Sequence, residues 1–389
     1  MKRLQNIILQ FFPPAQPLKA GIYHFQSPPD APKSLRYHLR VEPDGTGLLI
    51  INAHTVLHLN QTAAEYAFHL IQQSSPDEVA RSLSQRYRIS KEQAKEDYLN
   101  LKERIETLIE TPDLDPNTFL DIERENLYSA AVSAPYRLDC AVTYQLQDQT
   151  SHLAPEERVS QELSTDSWKV IIEKAWKAGI SHVVFTGGEA TLRPDLPELI
   201  AYAGRLGMVT GLLTDGLRLA QPVFLRTLLQ SGLDHVMILL DHDQTVCWDA
   251  IHSAINEDIS VCVHLTLTAE LINQFDAIHQ RLEMLKVRNI SLSAVNASLK
   301  GELKTAQKRV AQYGIHLVWD FPVPYSSFNP VAFELAEGGE AVPQGAGKAW
   351  LYVEPDGDVL LSQGVENPLG NLLTDGWEQI WKNAIARAA

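Results

Sequence analysis

Acids follow the ends of apolar runs in this chain, and that spacing is where chemistry is to be sought. His182-Val-Val-Phe185 runs into Thr186-Gly187-Gly188-Glu189. Leu213 is followed by Thr214-Asp215-Gly216, Leu240 by Asp241-His242-Asp243, and Trp319 by Asp320. If these runs are neighbouring strands, then Glu189, Asp215, Asp241, His242, Asp243 and Asp320 share one carboxyl edge. Carboxylates gathered there repel one another unless they are solvated, protonated or shared with a cation. Three readings follow: a solvated acidic rim, a divalent-cation site, or a paired acid and base. Cysteine offers less. Cys140, Cys247 and Cys262 lie far apart and form no Cys-x-x-Cys pair.

The elements that would position these acids are legible. After Gly187-Gly188-Glu189, Asp195 reads as an N-cap with Glu198 three residues on, and Leu196, Leu199, Ile200 and Ala203 follow at helical spacing. Gly207 reads as the glycine that closes this helix, and Met208 to Leu213 as the next strand. Further strands are expected at Ala134–Tyr144, His235–Leu240, Ser260–Thr268, Asn289–Val295 and His316–Pro322. Helices lie between them, such as Pro222–Gln230 with Phe224, Leu225, Leu228 and Leu229. Six or seven such repeats make an α/β fold, a partial TIM-type barrel of (β/α)6 kind, whose ligands bind at the carboxyl ends of its strands.

Ahead of the barrel, residues 21–112 read as a small α+β domain. Strands at Tyr23–Phe25, Tyr37–Val41 and Gly47–Ile51, with an Asp44-Gly45 turn, lead into three helices. Ser75-Pro76-Asp77-Glu78 is a capping box with proline at the first helical position. Residues 1–20 carry an amphipathic segment, with Leu4, Ile7, Ile8, Phe11 and Phe12 on one face, ended by Pro13-Pro14. Residues 113–133 read as a linker, 134–330 as the barrel and 331–389 as a C-terminal extension. The net charge of −15 argues against a nucleic-acid surface, and no apolar run approaches the length of a membrane span. The N-terminal segment is too short for a signal peptide, so the cytoplasm is the expected compartment.

The string Thr186-Gly-Gly-Glu-Ala-Thr-Leu-Arg-Pro-Asp-Leu196 resembles the S-adenosylmethionine-binding segment of radical SAM enzymes. The resemblance implies that Gly187, Gly188 and Glu189 hold the methionine amino group of that cofactor. It also implies a Cys-x3-Cys-x2-Cys loop after the first strand, binding a [4Fe–4S] cluster, but the corresponding positions here are Leu146, Thr150 and Leu153. The segment from Lys348 to Trp381 is similar to SPASM or twitch extensions, with Ser362 where a cluster cysteine is usual. Strands followed by helices, with LHLNQTAAEYAFHLI at the junction, resemble PqqD-like (winged-helix-like) domains, which bind the leader of a precursor peptide along a sheet edge. On this reading neither iron–sulfur cluster is expected, and radical SAM activity is not expected either. The expectation is a catalytically silent peptide-binding or scaffold subunit in ribosomal-peptide modification, whose partners would be a leader peptide and a catalytic paralogue. The alternatives are a barrel turned to metal or acid–base chemistry at its acidic mouth, and a protein that binds S-adenosylmethionine without cleaving it. Gln145 to about Val159 is expected to be a protease-sensitive loop in which Leu146 fills the former cluster space.

Overall fold

The computed structural model describes residues 18–111 apart from 29–30, 32–34 and 53–54; Phe119; residues 132–146; Val159; residues 161–317 apart from 295–296 and 314; and residues 345–388 apart from 364 and 366. The amphipathic segment 1–12, Thr150, Leu153 and Asp320 therefore lie outside the described residues, as does most of the loop expected over 145–159. The chain divides into two compact units, residues 1–129 and 130–389.

In the first unit β1 (Gly21–Gln26), β2 (Arg36–Val41), β3 (Gly47–Ile51) and β4 (Thr55–Leu59) form an antiparallel sheet in that order. Alternate residues Tyr37, Leu39 and Val41, Leu49 and Ile51, and Leu57 and Leu59 face one side, as the two-residue period of a strand requires. Onto that face pack Ala64, Ala67 and Ile71 of α1 (Gln61–Ile71) and Ile105 and Leu108 of α3 (Lys91–Glu110). Gly47 permits the close approach of α1, since a Cβ there would lie 2.7 Å from the Ala64 Cβ. The helix starts follow their capping residues. Asn60 accepts from the Ala63 N–H, Ser75 closes a full capping box before α2 (Pro76–Arg86), and Ser90 accepts from the Gln93 N–H.

The second unit is built on a ten-stranded sheet. Its central strands are β5 (Arg137–Thr143), β6 (His182–Gly187), β7 (Val209–Thr214), β8 (His235–Leu239), β9 (Ser260–Leu267), β10 (Asn289–Ala294) and the short β11 (His316–Leu317), parallel and adjacent in sequence order. Between them run α4 (Thr165–Ala178), α5 (Leu196–Leu206), α6 (Pro222–Gln230), α7 (Thr245–Ile255), α8 (Ala269–Met284) and α9 (Lys300–Gln312). One face of each strand (Leu138, Cys140 and Val142; Val183 and Phe185; Val236 and Ile238; Val263 and Leu265) packs against the helices as the main core. The opposite face gathers Val184, Leu213, Met237 and Cys262 into a smaller cluster. This is the α/β architecture, with a mainly parallel sheet, anticipated from the run of βα repeats.

One local expectation needs correction. Asp195 is not a side-chain cap for α5; its carboxylate is bound by Arg193 and by the Thr165 hydroxyl. The C-terminal segment joins the main sheet. Its first strand, β12 (Trp350–Val353), pairs in parallel with β5, and β13 (Asp358–Leu360) and β14 (Gly370–Asn371) continue the same sheet antiparallel. The final helix α10 (Trp377–Ala388) buries Ile380, Trp381 and Ala384 in the barrel's own core. No helix among the described residues is long and apolar enough to cross a membrane.

Candidate cofactor site at the strand ends

The carboxyl ends of β5, β6 and β7 are fastened to one another. Gly187 has φ 131°, and a Cβ added there would lie 2.0 Å from the Thr143 carbonyl oxygen. At Gly188 it would lie 2.4 Å from the carbonyl oxygen of Gln145 and 2.7 Å from that of Tyr144. Only glycine allows this approach. Through it the Gly188 N–H donates to Thr143 O and the Glu189 N–H to Gln145 O, both at 2.8 Å. On the other side of β5, Glu162 accepts from the Thr143 hydroxyl (2.6 Å) and the Tyr144 N–H (3.0 Å). The Tyr144 hydroxyl donates to the fully buried Glu354 just past β12, at 2.8 Å.

Glu189 turns inward and is 2% exposed. Its Oε1 accepts from the Thr191 N–H (2.9 Å), the Thr191 hydroxyl and the Thr214 hydroxyl (2.9 Å); its Oε2 accepts from the Asp215 N–H (2.7 Å). Charge-assisted bonds of this number hold a carboxylate in one place. Asp215 is half-buried; its Oδ1 accepts the Leu217 N–H (2.9 Å), and its carboxyl lies against that of Glu189. Burial, and then the neighbouring Glu189 charge, push its carboxyl well above the ordinary carboxylate range. One step beyond the Phe185–Leu212 pair, and on the inward face with Val184, lies Thr186. It is fully buried and its hydroxyl has no hydrogen-bond partner.

The acids foreseen as one mouth fall into two groups. Glu189 and Asp215 are joined directly, whereas Asp241, His242 and Asp243 form their own cluster after β8, with one ligand atom from each within 4.8 Å. Asp241 there accepts from the Asp243 N–H (3.2 Å) and the Gln244 side chain (2.8 Å), and the Asp243 side chain is 77% exposed. Of the former cluster-ligand positions, Leu146 is half-buried just beyond Gln145, and Ser362 is buried after β13.

Two buried polar groupings were not foreseen. His264 on β9 meets the Ser291 hydroxyl through Nδ1 (3.0 Å) and the Ser293 hydroxyl through Nε2 (2.9 Å). At the opposite end of the strands, Arg137 grips Asp139 with two bonds (2.6 and 3.1 Å), and the Nε2 atoms of His182 and His235 lie 2.7 Å apart. The usable signal was polar residues at two-residue spacing inside apolar strands: Arg137-x-Asp139, His264-x-Thr266 and Ser291-x-Ser293.

Residues 140–261 match the radical SAM superfamily. The match lies within the second unit, whose α/β sheet is mainly parallel. Among curated relatives, the PqqA peptide cyclase of Gluconobacter oxydans (strain 621H) is 42% identical over 82 residues, 21% of this chain and 23% of the relative. That of Rhodopseudomonas palustris is 37% identical over 95 residues, 24% of this chain and 25% of the relative. These matches span about a quarter of the relatives' length. Over most of the chain the fold is that of Streptococcus suis SuiB. Its crystal structure bound to S-adenosylmethionine covers 89% of this chain and 86% of SuiB, at a TM-score of 0.55 and 15% identity. The structure of SuiB bound to precursor peptide SuiA covers 88% of this chain and 86% of SuiB, at 0.55 and 14%.

These similarities overturn two expectations. The silent scaffold is withdrawn, because the matched relatives are named as cyclases and the structural neighbour was solved with S-adenosylmethionine and with a precursor peptide. The expectation of no cofactor is likewise corrected, since a radical SAM domain implies S-adenosylmethionine and an iron–sulfur cluster. The residues present fit the first of these, with an unpartnered buried hydroxyl at Thr186 and an acidic group at Asp215. The chain's cysteines do not fit the second. Cys140, Cys247 and Cys262 are buried free thiols on β5, α7 and β9. Cys140 lies among the helix-facing core and Cys262 on the opposite face of the sheet. Burial raises Cys140 far up, Cys247 to about 11 and Cys262 to about 12, away from the thiolate that iron needs.

Proposed function

We propose that this chain is an S-adenosylmethionine-binding, peptide-modifying enzyme of the radical SAM fold. The observation that carries the peptide half is a groove of about 330 Å³ in the first unit, beside β4, to whose outer edge no described strand pairs. Leu49, Leu57, Leu59, Ala63, Ala67 and Ile105 give it an apolar floor, and Asp97, Asn100 and Arg104 a polar wall on α3. A peptide laid along β4 would gain main-chain hydrogen bonds from the strand edge and an apolar slot for alternate side chains. This supports residues 21–112 as a PqqD-like peptide-recognition domain, residues 134–330 as the barrel that holds the cofactor, and residues 331–389 as a SPASM- or twitch-like remnant joined to it. The peptide relatives' substrates are the class from which a precursor peptide for this chain would come.

In the barrel, Gly187, Gly188 and Glu189 would present their backbone at the methionine amino end of S-adenosylmethionine, and Asp215 would lie beside it. That cofactor supplies an activated carbon–sulfur bond; the protein's part is to orient it and exclude water. The test is fluorescence anisotropy with labelled leader-length peptides encoded next to the gene. At least one peptide should bind, and Ala63→Asp, which puts a charge on the half-buried groove wall, should weaken it at least tenfold with the first unit's thermal transition unchanged. Binding indifferent to Ala63→Asp would refute the groove as the peptide site.

A further inference from the structure

The face of the main sheet turned away from its helices changes character between β6 and β10. Val184, Leu213, Met237 and Cys262 make it apolar from β6 to β9. Two residues beyond Cys262, on the same face, comes His264, and two further comes Thr266; Ser291 and Ser293 of β10 pair with them in register. The imidazole is 1% exposed and bridges both serines, Nδ1 to the Ser291 hydroxyl at 3.0 Å and Nε2 to the Ser293 hydroxyl at 2.9 Å. The Ser293 hydroxyl in turn donates to that of Thr266 at 3.3 Å. One hydrogen-bonded line therefore runs along the two strands. It is buried at Ser291 and half-buried at Ser293 and Thr266, toward the carboxyl ends where parallel α/β sheets bind ligands.

Packing does not call for such a line. Apolar side chains fill this face on the neighbouring strands without the cost of taking an imidazole and hydroxyls out of water. The chemistry of the line is that of neutral groups. A buried ring engaged by a hydroxyl on each nitrogen is satisfied as a neutral tautomer, one nitrogen donating and the other accepting. Its half-buried end consists of two hydroxyls, groups that both donate and accept, set in place by the ring behind them. On β8, Leu239 pairs with His264 and supplies an apolar neighbour. Asp241 follows two residues on; it repels an anionic group, and its own carboxylate is engaged by the Gln244 side chain and the Asp243 N–H. Resting on the peptide-modifying reading above, we infer that Ser293 and Thr266 form a specificity subsite for one uncharged side chain of the precursor peptide, a carboxamide or a hydroxyl that both donates and accepts hydrogen bonds. His264 and Ser291 are its positioning residues.

Fluorescence anisotropy with the precursor peptide encoded next to the gene, full-length and cut back to its leader, tests this. Full-length peptide should bind the wild-type protein about three- to tenfold more tightly than the leader, the contribution of one or two neutral hydrogen bonds. Ser293→Ala should erase that gain and leave the leader's Kd unchanged; Ser293→Thr, which keeps a hydroxyl, should restore it. Replacing one Asn, Gln, Ser or Thr of the peptide outside its leader by Ala should cost the same factor in the wild type and nothing further in Ser293→Ala. A merely structural role for the line would not produce that coupling. In wild-type protein labelled with nitrogen-15 in its histidine rings, full-length peptide and not the leader should move the His264 resonances, a readout that stands even should a variant not fold. Equal binding of leader and full-length peptide, coupling of Ser293 to a charged residue of the peptide, or a Ser293→Ala loss shared by the leader would each overturn the subsite while leaving the groove of the first unit intact. Absence of binding by either peptide would sink the peptide reading itself and the subsite with it.

Discussion

At the scale of single residues, the densest commitment of hydrogen bonds is at Glu189. Truncation in Glu189→Ala would leave the Thr191 and Thr214 hydroxyls and the Asp215 N–H without their acceptor. Stranding buried donors costs about 1–3 kcal/mol each before relaxation, so a net loss of roughly 2–4 kcal/mol is expected in urea unfolding. The same variant should bring Asp215 down toward an ordinary carboxyl, because the Glu189 charge helps to hold it up. Carbon-13 titration of that carboxyl would check the second effect. His235 and His264 set an acid limit. Burial, joined by Arg137 at His235, depresses both to about 4, against roughly 6.5 in an unfolded chain. Below pH 6.5 the unfolded chain binds protons that the folded one refuses. Stability is therefore full above pH 6.5 and falls as the pH drops toward 4, by on the order of 3 kcal/mol for each histidine. Unfolding free energies that stay flat from pH 7 to 4.5 would contradict this. The string around Glu189 was readable in the sequence as a site; its four donors were not, since Thr214 comes from another strand.

Elements were read well where their signals are local. Ser75 with Glu78, Gly207 at φ 98° and the Asp44-Gly45 turn all depend on residues within a few positions of one another. What local signals do not carry is a constraint imposed across strands, and Gly211 is such a case. Inside β7 it looks like a weak point, yet a Cβ there would meet the His235 ring at 2.2 Å, so the glycine exists to admit a neighbour's imidazole. Gly211→Ala should therefore destabilise the barrel by roughly 2–4 kcal/mol, as overpacking does. Adding His235→Ala should return most of that loss, and a double-mutant cycle with no coupling would disprove the explanation. The unexpected place of β12 beside β5 has the same origin. Pairing of strands distant in sequence follows from complementary faces, which periodicity alone does not rank.

For the whole molecule, the division into residues 1–129 and 130–389 implies two cooperative cores, one of Leu39, Leu49 and Ile51 and their partners, the other of the barrel. Scanning calorimetry should resolve two transitions, and acidification should lower the barrel's more, because His235 and His264 both belong to it. In the sequence, the change between a strand–helix cluster and βα repeats was read as a linker over residues 113–133. The cofactor expectation went astray because three ligand positions were weighed against the rest of the fold. The Tyr144–Glu354 bond joins residues 210 apart, and β12 closes the outer edge of β5. While the chain is being made, β5 leaves the ribosome long before its partner exists. At about 5–20 residues per second it waits on the order of ten to forty seconds. For that interval one edge of the nascent sheet is open to any passing strand, so the rate of synthesis, and the chaperones near the exit, become part of how this protein reaches its fold.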